Sequence, residues 1–367
     1  MILYLTAAAV TVLLACMVNN HPVLQPYLVT REQMKNRICL AALFLFLFAL
    51  SACRQNVGND YAKYVEFMHL VNSNAYVPTE PGFNLLVKII YGLSGFENHL
   101  LVFAVYSFVT VGLFLLAIYE QSDEFPFSFF LFMALGYYFQ SFSTVRYYLT
   151  LAIALYSMKF VLRQQWGKFI LLVLLGSLFH KSLLVILPLY FAASIAWKKW
   201  QLVLIGLFCT TFLFMQDLYL KLVVFLYPTY ENTEYLEGGT SYINILRCLG
   251  VFVLSLFFFK MKKDNKRYLF YFYLNLGALV LYVFCSFLPI ISRIGYYLTI
   301  SHVLFIPMLI KEMGNEKLRR LLKVGTITAA LLYFTVFLHR ADNDGVLLLP
   351  YRSFFFHDMV DILSDVN

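Results

Sequence analysis

The sequence predicts an all-α fold: a polytopic membrane protein with about twelve transmembrane or half-membrane helices. Three observations predict it. Of 367 residues, 61% are hydrophobic and 19% aromatic while only 13% are charged, which excludes an ordinary soluble domain. Apolar runs long enough for the hydrocarbon core recur from end to end, and a backbone in lipid must satisfy its own hydrogen bonds, as helices do. The six cysteines, Cys16, Cys39, Cys53, Cys209, Cys248 and Cys285, are scattered without a CxxC spacing. They read as packing residues, neither a disulfide framework nor a metal site.

Residues 2–18 form the first span, because a signal peptide would need a basic start and a small-residue cleavage site. Arg31, Lys35 and Arg37 lead into a second span at 38–52. An amphipathic stretch at 54–98 follows, then spans at 100–119, 125–139 and 144–162. The stretch 169–197 is long for one helix, yet each half is short of the ~20 residues a crossing needs. The distribution of positive charge decides between the two readings. With His180 in the bend of a hairpin, the basic groups at 31–37, 159–168, 198–199, 260–267 and 311–323 all fall on one side. A single crossing would put the last three groups opposite the first two. The hairpin leaves both termini outside, and makes 53–98, 217–240 and the tail 339–367 outer segments of one transmembrane domain covering 1–367. Pro289 interrupts the apolar run before Arg293, which predicts a discontinuous helix. The tail is too short and too charged for another span, so it is expected to lie along the outer surface.

The polar residues inside this apolar body carry the chemistry. Arg146, Arg247 and Arg293 fall at or inside the outer ends of spans, where a cation is costly unless an anion compensates it. Converging, they suit a phosphate or diphosphate, which a planar guanidinium grips with two hydrogen bonds. Acting separately, they would snorkel to lipid headgroups. The net charge of +8 thus belongs to the membrane faces and gives no reason to invoke nucleic acid. Gly58-Asn59-Asp60 reads as a turn and N-cap of a helix that places Tyr64 one turn beyond Asp60. Glu80 stands before Pro81-Gly82 and an amphipathic helix at 83–91. It is either an acid at a helix's positive end or a carboxylate on a rigid turn, suited to a general base. The chain shows no glycine-rich phosphate loop, no His/Cys metal spacing and no internal repeat.

The order Arg54…Gly58-Asn59-Asp60-Tyr61…Tyr64, then Glu80-Pro81-Gly82-Phe83, then Val145-Arg146…Ala152, then Phe179-His180-Lys181-Ser182 resembles the EpsG family of bacterial exopolysaccharide polymerases, which are similar in role to the Wzy O-antigen polymerases. The second half follows the family only in hydropathy and in Arg293. The resemblance implies a helical membrane domain similar to the GT-C-type glycosyltransferases, in the bacterial inner membrane with its active site facing outside. It implies a polymerase that joins undecaprenyl-diphosphate-linked repeat units without metal or cofactor. The implied partners are the lipid-linked oligosaccharide, the bilayer and other membrane proteins of polysaccharide assembly, with no nucleic acid. Residue by residue, Asp60 and Glu80 match the family's acidic positions, Arg146 its outer-face arginine and His180 its histidine at the helical bend. Glu80 is then the first choice for the base, ahead of His180, with Asp60 also in reach. Arg146 and Arg293 are expected to hold diphosphate, assisted by Arg54 or Arg247, and Tyr61, Tyr64 and Tyr147 to stack on sugar faces. Two other classes share some of these features. A flippase for the same substrates should show repeat symmetry or mid-membrane cations, and a polysaccharide O-acyltransferase would use His180 as base with a cytosolic acyl donor.

Overall fold

The computed structural model describes residues 1–19, 30–226, 241–288, 291–343 and 345–356. Every element among them is helical, apart from one isolated antiparallel bridge between Arg54 and Ser353. Seven helical stretches are long and apolar enough to cross a bilayer. A bent pair makes an eighth, and four shorter apolar helices fall below that length.

The chain opens with α1 (Ile2–Ala15) and α2 (Arg31–Ala52). Hydropathy places the start of the second span at residue 38, but α2 begins seven residues earlier. The reason is local: Thr30 Oγ1 accepts from the Gln33 amide at 3.2 Å, while Gln33 Oε1 accepts from the Thr30 amide at 3.0 Å. Such reciprocal capping fixes a helix start through a polar stretch that hydropathy ignores. Within 54–98 lie α3 (Tyr61–Asn72) and α4 (Pro81–Ser94). Pro81 stands in the first turn of α4, and Gly95 ends it with a left-handed φ of 74°, a geometry that glycine adopts without a Cβ clash. Next comes α5 (His99–Gln121), capped by the Asn98 side chain on the Leu101 amide at 3.0 Å.

The expected span at 125–139 is corrected. It breaks into α6 (Phe125–Ala134) and the single turn α7 (Tyr137–Gln140), with Gly136 between them at φ +77°. Ten residues rise about 15 Å, half the hydrocarbon thickness. After α8 (Val145–Leu162) come α9 (Trp166–Ser177), a 3-10 turn at Lys181–Val185 and α10 (Ile186–Ser194). The expected hairpin is present. Gly176 backs onto Leu183, the rings of Phe169 and Tyr190 stack at 6.0 Å, and Trp166 meets Phe191 edge-on at 5.6 Å. The partners step outward symmetrically from residues 179–180, so the arms run antiparallel and His180 sits in the bend.

The helices α11 (Lys199–Phe214) and α12 (Gln216–Leu226) meet at 89°. The expected outer segment at 217–240 therefore starts as helix, and its remainder, 227–240, lies outside the described residues. Beyond it come α13 (Tyr242–Lys262), α14 (Lys266–Phe284), α15 (Ile291–Thr299), α16 (His302–Lys311) and α17 (Glu316–Arg340). Helix α14 ends at Phe284 and α15 begins at Ile291, and Pro289, on which the expected discontinuous helix rests, lies outside the described residues.

The chain divides into two compact units. The first comprises Met1–Ser157, Ile170–Leu184 and Ile310–Asn367. In it α2 lies along α5, α1 packs on α2 and α6, α3 on α4, and α17 on α6. Its tyrosines tie helices to distant backbone: Tyr138 donates to the Leu47 carbonyl at 2.7 Å and Tyr4 to that of Leu348 at 2.6 Å. The second unit comprises Met158–Phe169 and Val185–Leu309, with α14 packed against α10, α11, α13 and α15. Buried Asn275 donates to the Cys248 carbonyl at 3.1 Å and pairs with His302 Nε2 at 2.8 Å.

Candidate functional site

Four motifs far apart in the chain interlock in the first unit, and two glycines show how closely. Gly58 has φ +100°, and a Cβ there would stand 2.5 Å from the Phe142 carbonyl oxygen and 2.7 Å from Ser143 Cα. Only glycine lets the Gly58-Asn59 turn approach the Phe142-Ser143 backbone this closely, and the Ser143 hydroxyl donates to Asn59 Oδ1. Gly82 has the same role in the second motif. Its amide donates to the Leu178 carbonyl at 2.8 Å, and a Cβ would meet that oxygen at 2.6 Å. The Glu80-Pro81-Gly82 turn is thereby seated on the bend that carries His180.

This seating places Glu80 between two donors. Its Oε2 pairs with Arg146 Nη1, and its Oε1 accepts the Lys181 amide at 3.1 Å. Arg146 is at the start of α8, with its guanidinium 5.2 Å from the Phe83 ring centre and 5.4 Å from that of Tyr64. Ring faces attract the cation and fix its plane. The side chains of Arg146 and Glu80 are 13% and 14% exposed, so the pair is shielded yet reachable. Arg146 Nε is buried without a hydrogen-bond partner, and such a donor is expensive to leave unmet. Beside the pair, the Tyr147 ring meets His180 edge-on at 5.8 Å. The Ser182 amide donates to His180 Nδ1 at 3.3 Å, and its hydroxyl lies 2.8 Å from the same nitrogen.

The structure thus brings together Glu80, Arg146, His180, Tyr64 and Tyr147. Asp60 sits at the N-terminus of α3 without capping it through its side chain. Arg54, expected to assist at diphosphate, is 0% exposed. Its Nη1 reaches the Ser51 carbonyl and hydroxyl, and its guanidinium lies 5.2 Å and 5.1 Å from the rings of Phe103 and Phe142. Burial pushes its pKa below the ordinary arginine value. The three tyrosines expected to be sugar platforms are likewise buried, at 0% for Tyr61, 6% for Tyr64 and 4% for Tyr147. Tyr61 stacks on Phe103 at 4.5 Å, and burial pushes its phenol up to about 12 despite the nearby Arg54 cation. Here the three rings pack against protein neighbours, Phe103 for Tyr61, Phe83 for Tyr64 and His180 for Tyr147, and their expected role as sugar platforms rests on the sequence. Arg247 and Arg293 belong to the second unit.

Sequence reading missed one participant altogether. The tail, expected to lie along the surface, instead folds back on the first motif. The Gln55, Gly58 and Asn59 amides donate to the carbonyls of Arg352 (3.0 Å), Leu347 (2.7 Å) and Val346 (3.2 Å), and the Phe354 amide returns a bond to Cys53 at 3.3 Å. Leu348 and Ser353 are buried. Two short segments without helix satisfy each other's backbone groups, which a buried chain requires. Ending the chain after Gly345 is expected to orphan four backbone groups of the first motif, those of Gln55 and Gly58 in buried residues, and clear the protein from membranes, as read by immunoblot. Normal levels of that truncation would show the clasp to be dispensable.

None of the curated proteins and none of the solved structures gives a significant match to the chain. The family model described as "EpsG family" matches residues 37–353. That range includes all four motifs and most of the tail that clasps the first of them. The chain belongs to the EpsG family, and this membership supports a membrane protein of the polysaccharide-polymerase type.

Proposed function

We propose that this protein joins undecaprenyl-diphosphate-linked oligosaccharide repeat units into surface polysaccharide at the outer face of the bacterial inner membrane. The reading takes 1–367 as one transmembrane domain of GT-C type with about twelve crossings or half-crossings, and with 53–98, 217–240 and 339–367 outside. One observation carries it: a shielded Glu80–Arg146 pair, seated on the bend that bears His180.

In the proposed step an acceptor sugar hydroxyl of one lipid-linked unit attacks the anomeric carbon of the glycan on the other. The bond from that carbon to the diphosphate oxygen breaks, and undecaprenyl diphosphate leaves with the electron pair. The hydroxyl proton passes to a base, for which Glu80 is first choice. A carboxylate held by a guanidinium is a poor base, so the pair has to open. The incoming diphosphate does this, because it carries more charge than Glu80 and its oxygens can take two parallel hydrogen bonds from the guanidinium. The fixed cation then stabilises charge as it develops on the leaving group, and the reading assigns no metal. Arg54 is buried at the start of the first motif, enclosed by Phe103 and Phe142. The assignment of Arg247 and Arg293 to diphosphate rests on the sequence.

The test is the surface glycan of a deletion strain. Single repeat units left on lipid support polymerisation. Lipid-linked units retained in the cytoplasm would mean transport, and polymer of normal length lacking acyl groups would mean acyl transfer.

A further inference from the structure

We infer that His180 is a hydrogen-bond donor, through Nε2–H, to a diphosphate oxygen of the lipid-linked substrate, and is not the base. The inference rests on the polymerase reading of this site and goes further by giving the imidazole one role.

The argument starts from what each neighbour can do. A backbone amide only donates, and the Ser182 amide is directed at His180 Nδ1 at 3.3 Å. Nδ1 must therefore offer its lone pair. The Ser182 hydroxyl at 2.8 Å can turn its hydrogen to the same nitrogen, but a hydroxyl facing an Nδ1–H would leave the amide opposed. In a neutral imidazole one nitrogen donates and the other accepts, so the proton is on Nε2. The nitrogen with a basic lone pair is the one turned back onto its own turn. The other can only give a hydrogen.

The placement fits an anion. His180 immediately precedes Lys181, whose amide holds Glu80 at 3.1 Å, and Glu80 in turn holds Arg146. The edge-on Tyr147 ring at 5.8 Å fixes the imidazole plane. A donor one residue from this pair adds to Arg146 what a leaving diphosphate needs, a second hydrogen bond that strengthens as charge accumulates. Ser182 is then a positioning residue that selects the tautomer.

The test uses the full chain in the deletion strain, with polymer length read on gels of surface polysaccharide and protein amount from membrane immunoblots. Glutamine places its amide NH2 near the position of imidazole Nε2, whereas asparagine reaches only that of Nδ1. His180→Gln is expected to keep polymer within about tenfold of wild type, while His180→Asn falls about a hundredfold, the usual effect of losing one such donor. Glutamine and asparagine variants that are equally inactive at equal protein amounts, with Arg146→Ala also inactive, would overturn the donor role and leave the polymerase reading standing. Full-length polymer from Arg146→Ala would instead remove the diphosphate reading and this inference with it.

Discussion

Arg146→Ala is expected to lower polymerisation by about a hundred- to a thousandfold, the effect seen when a preorganised donor to developing negative charge is removed. The expectation follows from how the guanidinium is held. Two ring faces at 5.2 and 5.4 Å fix its plane, Glu80 takes one Nη, and Nε is buried without a partner. Lysine should not rescue, because an ammonium cannot present two parallel donors or lie flat between rings. Alanine also leaves Glu80 with only its Lys181 bond, and breaking a shielded pair from one side costs about 3 kcal/mol. Two controls separate this from lost function. Membrane levels of the variant should fall, and a Glu80→Ala/Arg146→Ala double variant should recover level without recovering polymer, since the uncompensated carboxylate is gone. Polymer of wild-type length from Arg146→Ala would end the diphosphate assignment.

Gly82→Ala should be nearly as damaging, although it touches no charge. The added methyl would lie 2.6 Å from the Leu178 carbonyl oxygen and 2.9 Å from its carbon. Both are backbone atoms that no rotamer change can move, so the turn must lift off the bend. Overpacking of this kind costs about 1–3 kcal/mol. Here it also draws Glu80 away from the Lys181 amide and misplaces Arg146. Gly92 provides the comparison within the same helix: nothing lies within 4 Å of its Cβ position. Gly92→Ala should leave polymer unchanged and stabilise α4 by about 0.5–1 kcal/mol. The check is thermal unfolding of both variants in detergent, together with polymer length. If the two alanines behave alike, the junction of turn and bend is not what positions the site.

The bend at His180 was legible because charge and length act along the chain, and these alone decide which stretches fit in lipid. The same holds for the helices opening near Asp60 and Glu80, whose starts are marked by local turn residues. What hydropathy overran was also local but polar: the reciprocal cap at Thr30 and Gln33, and the left-handed Gly136 that divides an otherwise continuous apolar run. Arg54 illustrates a different limit. An arginine at the end of a span reads as a surface cation, and nothing near it in sequence announces that Phe103 and Phe142 will enclose it.

By itself, then, the sequence determined a helical membrane chain and four polar motifs of one family, since lipid obliges each apolar stretch to satisfy its own backbone and so to fold locally. Only the tertiary structure decided which motifs meet. Glu80 joins Arg146 across 66 residues and the Lys181 amide across 101, and the tail closes on the first motif. Such contacts depend on shape between distant surfaces, such as a glycine where a Cβ would collide, and no periodicity along the chain encodes them.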